Sequence, residues 1–416
     1  MVRRRTRMAE PDRWRRRLPP LVGLALWGFV VLGAPDTALG VAWPSVREEF
    51  GLPLSGLGVL LGSYTAAYLT AGAFSGVVAE RVGTGRLLTA AAVTAGVGVG
   101  GYALTRSWPL LVLASVPTGA GNGFLDAALN AHVALSHSPR VLNLLHAAFG
   151  VGATLGPLLF AGLLAVGASW RWGFGLIVTG QAALALAFWA TRNRWRGGRQ
   201  PGPAEGPTVP EGPSATPAPP DRRVVPLSLL VFFVYVGLEA GAGQWAYTAL
   251  TEGRGVAAGA AGLWVGAYWA SLTLGRVLAG VWGAAVAPTV LLRASLVTAL
   301  VGAALVGWRS GPAEGAVGLP VLGLGLAAVF PTLALTPARV GRHRASRVIG
   351  LEVAAAALGG GVLPGLMGIV LDTAGLGALS PLLVGTAAAL LVLDTVLTAV
   401  TSSAASVAGP VPTLQP

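Results

Sequence analysis

Apolar residues recur along the chain in stretches of roughly 20 residues, the length that an α-helix needs to cross the hydrocarbon core of a membrane. Glycine, proline and charged residues separate these stretches. The pattern predicts an all-α, polytopic membrane protein with twelve transmembrane helices. The predicted spans cover residues 20–44, 55–79, 87–105, 108–134, 141–166, 170–191, 225–250, 257–283, 288–308, 314–337, 348–371 and 380–402.

The segment 192–223 interrupts this pattern between the sixth and seventh spans. It is rich in proline and glycine and has too few apolar residues to bury, which is typical of a disordered linker. The chain is therefore divided into five regions. These are a basic cytoplasmic tail (1–18), a six-helix half (19–191), a cytoplasmic linker (192–223), a second six-helix half (224–403) and a C-terminal tail (404–416).

An internal repeat supports this division, because landmarks of the first half recur in the second at offsets of 203 to 207. The segment LTAG at 69–72 matches LTLG at 272–275, and Pro157 matches Pro364. The landmarks keep their order, so the two six-helix halves are predicted to be parallel copies. In transporters built from such repeats, the solute site lies near the bilayer midplane between the repeats.

The arginines indicate how the chain is oriented. All 28 basic residues are arginine, and the net charge is +12. With the N-terminus in the cytoplasm, twenty-two arginines fall in cytoplasmic segments, five fall outside and Arg276 lies within a span. Basic residues favour the cytoplasmic side of short loops. We therefore expect a multi-pass protein of the cell (cytoplasmic) membrane with both termini in the cytoplasm, and no binding of nucleic acid.

Composition narrows the range of functions. Hydrophobic residues make up 54% of the chain and charged residues only 11%, against about 25% charged residues in a soluble domain. The chain has no lysine and no cysteine, which excludes a lysine-containing phosphate loop, thiol catalysis and zinc-thiolate sites. Since no nucleophile, metal cluster or nucleotide motif is found, we expect a protein that is not an enzyme and has no cofactor.

The segment after the second span, GVVAERVGTGR at 76–86, resembles the signature loop of the major facilitator superfamily, G-x-x-x-D-R-x-G-R-[RK]. Glutamate replaces the aspartate of that motif, and threonine replaces its first arginine after the glycine. The resemblance implies a cytoplasmic gate that closes the two halves against each other. Its residues are Gly76, Glu80, Arg81, Gly83 and Arg86. The alternative is that the arginines act only as topology anchors.

Three further stretches resemble the L-fucose permease-like branch of this superfamily. They are GAPDTALGVAWP at 33–44, GAGNGFLDAALN at 119–130 and NLLHAAFG at 143–150. In that branch, carboxylates in the first and fourth spans carry proton coupling and solute contact. The resemblance implies these roles for Asp36 and Asp126, the second being Asp where that permease has Glu.

Ionisable groups at bilayer depth cost about 2.5–3.5 kcal/mol on insertion scales, so they usually face a cavity or a partner. On this ground the candidate proton-coupling residues are Asp36, Asp126 and His146, and Glu239 is a candidate for solute binding. The other candidate solute-binding residues are Asn130 and Asn143, which share helix faces with Asp126 and His146, Gln244, which offers donors and an acceptor, and Trp245, on which a sugar ring could stack. Three alternatives stay open. Asp126 could be a structural hydrogen-bond partner of Asn130, His146 could be an interhelical donor, and Trp245 could belong to the interfacial aromatic belt.

Three other ionisable residues receive structural roles. Arg276 and Glu352 are expected to neutralise each other or other charges between the eighth and eleventh spans. Asp394, in the last span, is peripheral and is not expected to take part in coupling. Pro35, beside Asp36, predicts an irregular backbone at that point of the first span.

These features predict a secondary active transporter that works by alternating access. We expect proton-coupled uptake of a small neutral polar solute such as a sugar, by a monomer whose partners are that solute, protons and the lipid bilayer. An antiporter that exports drugs is the main alternative, because GATLGP at 152–157 partly resembles the motif of drug exporters. An intramembrane enzyme and a non-transporting sensor are further alternatives.

Overall fold

The computed structural model describes residues 20–195, 222–282, 285–308, 311, 313–333 and 342–407. The predicted basic tail, most of the predicted linker and the end of the C-terminal tail lie outside these residues. In the described part of the chain every regular element is a helix. The predicted all-α architecture is confirmed.

The first half contains α1 (Pro20–Phe50), α2 (Gly56–Val82), α3 (Thr84–Leu104), α4 (Trp108–Ser136), α5 (Pro139–Ala165) and α6 (Trp170–Thr191). The second half contains α7 (Val224–Arg254), α8 (Ala258–Trp282), α9 (Pro288–Val306), α10 (Gly318–Ala327), α11 (Val329–Leu333), α12 (Arg342–Ala374) and α13 (Leu379–Val407). The last helix extends four residues into the region predicted as a tail.

Ten candidate spans within the described residues are long and apolar enough to cross a membrane. The other two membrane helices, α4 and α8, are less apolar. Polar side chains such as Asn122, Asp126 and Asn130 lie along α4, and α8 carries Arg276. Both helices bear residues of the candidate site described below, which explains their lower hydropathy.

The tenth span, predicted as one helix over 314–337, is broken. A 3₁₀ turn at Glu314–Val317 leads into α10, and α11 follows after a turn at Ala328. Pro331 has no N–H, so it cannot donate to the carbonyl four residues earlier and the regular ladder is interrupted at this point. Residues 334–341 lie outside the described part of the chain.

The first span, by contrast, is a continuous helix past Pro35 and Pro44. The prediction of an irregular backbone beside Asp36 is therefore wrong. Gly33 has a different role, because a Cβ at this position would meet the carbonyl oxygen of Phe149 in α5. Its lack of a side chain allows α1 and α5 to pack backbone to backbone.

The two halves repeat the same packing. In the first half, α1 packs on α5 and α6, α4 packs on α2 and α3, and α3 packs on α6. In the second half, α7 packs on α12 and α13, α10 packs on α8 and α9, and α9 packs on α13. Each pair of the first half thus has its counterpart in the second, which agrees with the parallel duplication read from the sequence.

Three helix pairs join the halves: α1 with α7, α2 with α12 and α5 with α8. Close backbone approaches occur where Gly40 meets Gln244 and where Gly58 meets Gly365. Gly40 lies toward the C-terminal end of α1, and Gly58 lies at the N-terminal end of α2. We call this the closed end of the bundle. The opposite end, which carries Arg81, we call the basic end.

Candidate functional site

Asp36 projects from α1 toward α2. Its side chain is half-buried, and its carboxylate lies beside the hydroxyl of Tyr64. That hydroxyl in turn accepts a hydrogen bond of 3.0 Å from Nδ2 of Asn122 in α4. Three helices therefore meet around the first of the predicted proton-coupling carboxylates.

Asp126 lies on α4, the helix that also carries Asn122. The hydroxyl of Tyr68 donates to its Oδ2 at 2.6 Å, and Nδ2 of Asn130 donates to its Oδ1 at 2.9 Å. The hydrogen bond to Asn130, which was the structural alternative for Asp126, is present. It does not exclude a role in coupling, because the carboxylate remains only half-buried.

Sequence reasoning missed Tyr64 and Tyr68. Their rings stack at 6.0 Å between centroids, and their hydroxyls reach Asp36 and Asp126 respectively. Residues four apart share a helix face, so the two tyrosines could have been recognised as a polar stripe on α2. A tyrosine in an apolar run is easily taken for a packing residue.

The partners of Asp36 and Asp126 are uncharged. Within the described residues, neither carboxylate forms an ion pair. Both therefore hold a potential negative charge at bilayer depth without a neighbouring cation to balance it.

Glu239 of α7 differs from Asp36 and Asp126, because its carboxylate forms an ion pair. Its Oε2 accepts a hydrogen bond from Tyr235 at 2.5 Å, and Nη2 of Arg276 in α8 contacts both carboxylate oxygens, at 2.8 and 3.1 Å. The hydroxyl of Tyr268 donates to the backbone carbonyl of Glu239 at 2.8 Å. Arg276 thus forms its ion pair with Glu239. The pairing of Arg276 with Glu352, which was one of the two possibilities considered from the sequence, is not found in the described residues.

Gln244 and Trp245 lie further along α7, toward the closed end, and both are buried. Nε2 of Gln244 donates to the backbone carbonyl of Asp36 across the two halves at 2.8 Å. Nε1 of Trp245 donates to the carbonyl of Pro364 at 2.8 Å. Trp245 is fully buried, so it does not lie in an interfacial aromatic belt.

Asn143 and His146 occupy the first turns of α5 and are both exposed. The ring of His146 meets the ring of Phe29 edge-on, with 6.0 Å between centroids. His146 also lies near enough to Arg276 for the two charges to interact. His146 therefore lies between α1 and α8, toward the basic end.

Glu352 and Asp394 lie apart from these groups. Glu352 is buried and is hydrogen-bonded to the hydroxyl of Ser228. Asp394 is buried on α13, where its nearest charged group is Arg293. Neither joins the group formed by Asp36, Asp126 and Glu239.

The closed end is held by charged contacts between the halves. Arg47 at the end of α1 forms an ion pair of 2.6 Å with Glu252 at the end of α7. The carboxylate of Asp372 in α12 accepts the backbone N–H groups of Leu54 and Ser55, just before α2, at 2.6 and 2.9 Å. The halves are therefore tied together at this end.

The predicted gate residues lie at the basic end. Gly83 ends α2 with a φ of 88°, a left-handed conformation that favours glycine. Arg81 and Arg86 are exposed. The side chains of Glu80 and Arg81 make no hydrogen bond or ion pair within the described residues.

The glycines of the exporter-like segment 152–157 serve helix packing. A Cβ at Gly152 would meet the carbonyl oxygen of Val30, and a Cβ at Gly156 would meet that of Ala34. Close packing of α5 against α1 accounts for both residues without any role in export.

Two cavities lie away from the candidate site residues. One of about 300 Å³ lies inside the second half at the closed end and is lined by Arg254, Leu319 and Ser380 among others. A groove of about 540 Å³ runs between α2 and α4 past Thr70 and Phe74. None of the candidate site residues lines either of them, so the site is defined by its polar contacts and not by cavity size.

Comparison with known proteins identifies the family. The family model described as Major Facilitator Superfamily matches residues 25–364. The chain belongs to this superfamily. It is accordingly a multi-pass membrane transporter and not an enzyme.

Relatives within the superfamily are distant. The hexuronate transporter of Bacillus subtilis (strain 168) is 27% identical over 167 residues, and this alignment spans 39% of the chain and 39% of that protein. Among solved structures, a peptide transporter has a TM-score of 0.72 at 15% identity, covering 95% of this chain and 96% of that one. The E. coli fucose:proton symporter has a TM-score of 0.60 at 16% identity, covering 91% and 98%. These structures show that the fold is shared.

Proposed function

We propose that this transporter takes up a small neutral polar solute, such as a sugar, together with protons. The observation that carries the proposal is the pair Asp36 and Asp126, which the stacked rings of Tyr64 and Tyr68 link and whose partners are uncharged. Burial favours the neutral form of a carboxyl group. A carboxyl group that has no neighbouring cation is therefore suited to binding and releasing a proton as its exposure changes.

The solute class rests on the polar groups around these carboxylates. Asn130 is partly buried beside Asp126 and Asn143 is exposed on α5, and we infer that their amides contact the solute. Glu239 is buried in its contacts with Arg276 and Tyr235, and we assign to His146 a part in proton transfer. Amides and carboxylates are suited to binding hydroxyl groups. The named substrate of the Bacillus subtilis relative, a hexuronate, is a sugar acid, which supports a sugar skeleton but carries a negative charge.

The direction of opening follows from the proposed topology. If both termini lie in the cytoplasm of a monomer in the cell membrane, the closed end faces outward. The structure then corresponds to an inward-facing state, with the gate of Glu80 and Arg81 open. Gln244 and Trp245, first predicted as ligands, are better suited to closing the outer side, because their contacts reach α1 and α12.

Uptake into proteoliposomes tests the proposal. A panel of radiolabelled pentoses and hexoses is offered with and without an inward proton gradient. We expect gradient-driven accumulation in the wild type and none in Asp36→Asn or Asp126→Asn, because an amide cannot carry the proton. Asp394→Asn is the matched control, since Asp394 is a buried acid outside the site. Accumulation at wild-type levels in both site variants would contradict the assignment.

A further inference from the structure

Asp36 and Glu239 occupy equivalent positions of the internal repeat. A Cβ at Gly152 would meet the carbonyl of Val30, and a Cβ at Gly359 would meet the carbonyl of Phe233. Val30 and Phe233 are therefore structural counterparts, and they are 203 positions apart in the sequence. The same offset along the same two helices relates Asp36 to Glu239. Each half thus places one carboxylate at the same depth.

The neighbouring helices α2 and α8 match as well. Gly119 lies against the carbonyl of Tyr64, and Gly323 lies against the carbonyl of Tyr268. Tyr64 lies at the carboxylate of Asp36 and Tyr268 donates to the backbone carbonyl of Glu239, so each half sets a tyrosine beside its acidic residue. The position of Arg276 has no charged counterpart. At offsets of 203 or 204 it corresponds to Ala73 or Gly72.

This one difference changes the electrostatics of the second half. A guanidinium group is always charged in proteins, and the Arg276 side chain is only 26% exposed. Removing the counter-charge from such a cation leaves a buried, uncompensated charge. Glu239 supplies that counter-charge, so protonation of Glu239 would leave the Arg276 cation without a counter-charge. Protonation of Asp36 has no such effect, because Asp36 is not paired with a cation.

Other titratable groups around Glu239 do not alter this balance. Tyr235 and Tyr268 face it from α7 and α8 and are neutral donors. His146 of α5 faces Arg276, and Asp36 lies on α1. The acids of the other helices packed on α7 are distant: Glu352 bonds to Ser228, eleven residues or about 16 Å along the helix. Asp372 lies at the closed end, and Asp394 lies near Arg293.

We propose that Arg276 is a positioning residue that keeps Glu239 as a carboxylate and so confines proton binding to the first half. Glu239 and Arg276 then remain an ion pair in the second half, while Asp36 and Asp126 carry the protons. This division of roles between equivalent carboxylates rests on the proposed function, since it assumes that Asp36 and Asp126 titrate.

Infrared difference spectroscopy on the full chain, purified into vesicles of phosphatidylcholine and phosphatidylglycerol, tests the proposal without any solute. Spectra are recorded from mildly acidic to mildly alkaline pH, and the C=O stretching band of protonated carboxyl groups is followed. We expect Glu239→Gln to remove no titrating band from the wild-type spectrum. Arg276→Met should gain one titrating band, and the double variant with Glu239→Gln should lose it again.

Arg276→Lys serves as the conservative variant, because it keeps the positive charge and should gain no band. A titrating band of the wild type that disappears in Glu239→Gln would overturn the proposal, as would a folded Arg276→Met without a new Glu239-dependent band. If Arg276→Met does not fold, the comparison of wild type with Glu239→Gln still decides. Failure of the proposed function is a separate result: Asp36→Asn and Asp126→Asn would then remove no titrating band.

Discussion

The carboxylate of Asp372 in the second half accepts the backbone N–H of Leu54 in the first half at 2.6 Å. Its other oxygen accepts the N–H of Ser55 at 2.9 Å. Asp372 thus ties the two residues that precede α2 to the opposite half, near a helix N-terminus where negative charge is favourable. These two hydrogen bonds must be broken each time the closed end opens.

Replacing Asp372 by alanine should therefore destabilise the closed end. An intramolecular hydrogen bond contributes about 0.5–1.5 kcal/mol net, which corresponds to a roughly 2- to 13-fold shift in population. Spin labels on cysteines introduced at Glu48 and Gly253 report the distance across this end, and the chain has no cysteine of its own. We expect a larger fraction of long distances in the variant.

The matched control is Thr373→Ala, since the Thr373 hydroxyl is exposed and bonds only to carbonyls of its own helix. It should leave the distance distribution unchanged. Equal distance distributions in Asp372→Ala and in the wild type would show that the hydrogen bonds of Asp372 do not hold this end closed.

Trp245 allows a structural role to be separated from solute binding. Trp245→Phe removes the hydrogen bond to the Pro364 carbonyl, at a cost of about 1–3 kcal/mol for a buried acceptor left without its partner. We expect a lower Tm in a thermal unfolding scan and an unchanged KM for the transported sugar. Trp172→Phe, at a Trp that is 68% exposed, should alter neither quantity. A raised KM with an unchanged Tm would instead make Trp245 a ligand.

The sequence predicted the helices well, because burial in lipid demands long apolar runs that are visible in one dimension. The sixth span was predicted at 170–191, and α6 covers Trp170–Thr191. The prediction of the tenth span as one continuous helix was wrong for a local reason. A proline that removes a backbone donor divides an apolar run without making it any less apolar.

Side-chain partners were harder to predict, because they depend on how helices cross. Glu239 and Arg276 are 37 residues apart, and no periodicity within one helix relates them. The tyrosine pair on α2 could have been found from its spacing of four residues. The parallel duplication was visible in the sequence, but the equivalence of Asp36 and Glu239 needed the glycine contacts that fix the alignment of the halves.

The linker yields a prediction from composition alone. Deletion of residues 200–218 should leave insertion and transport intact, provided that the shortened connection still spans the halves, because the segment lacks the apolar residues needed for a packed element. Sugar uptake and the elution profile of the purified protein are measured beside a variant with a Gly-Ser segment of equal length. Lost transport in a monodisperse deletion variant, with transport kept in the Gly-Ser variant, would show that length matters. Loss in both would reveal a specific sequence role.

Arg81 gives the test of the gate. In the part of the chain that the structure describes, the side chains of Glu80 and Arg81 form no hydrogen bond or ion pair, which is expected if they act only when the basic end closes. A partly buried charge pair formed in that other state is worth about 1–3 kcal/mol, enough to shift a two-state population roughly 5- to 150-fold. Arg81→Ala should therefore favour the state described here and slow turnover.

Paired spin labels at the basic ends of α2 and α12 measure this shift directly. In Arg81→Ala we expect the long-distance population to grow at the expense of the short one. The apparent affinity for the sugar should change only as far as the two states differ in affinity. Arg140→Ala, which removes an exposed arginine from the same end, controls for a general loss of positive charge. If both variants match the wild type, Arg81 acts as a topology anchor and the gate assignment fails. If both shift equally, the net charge of the basic end and not a specific contact sets the balance.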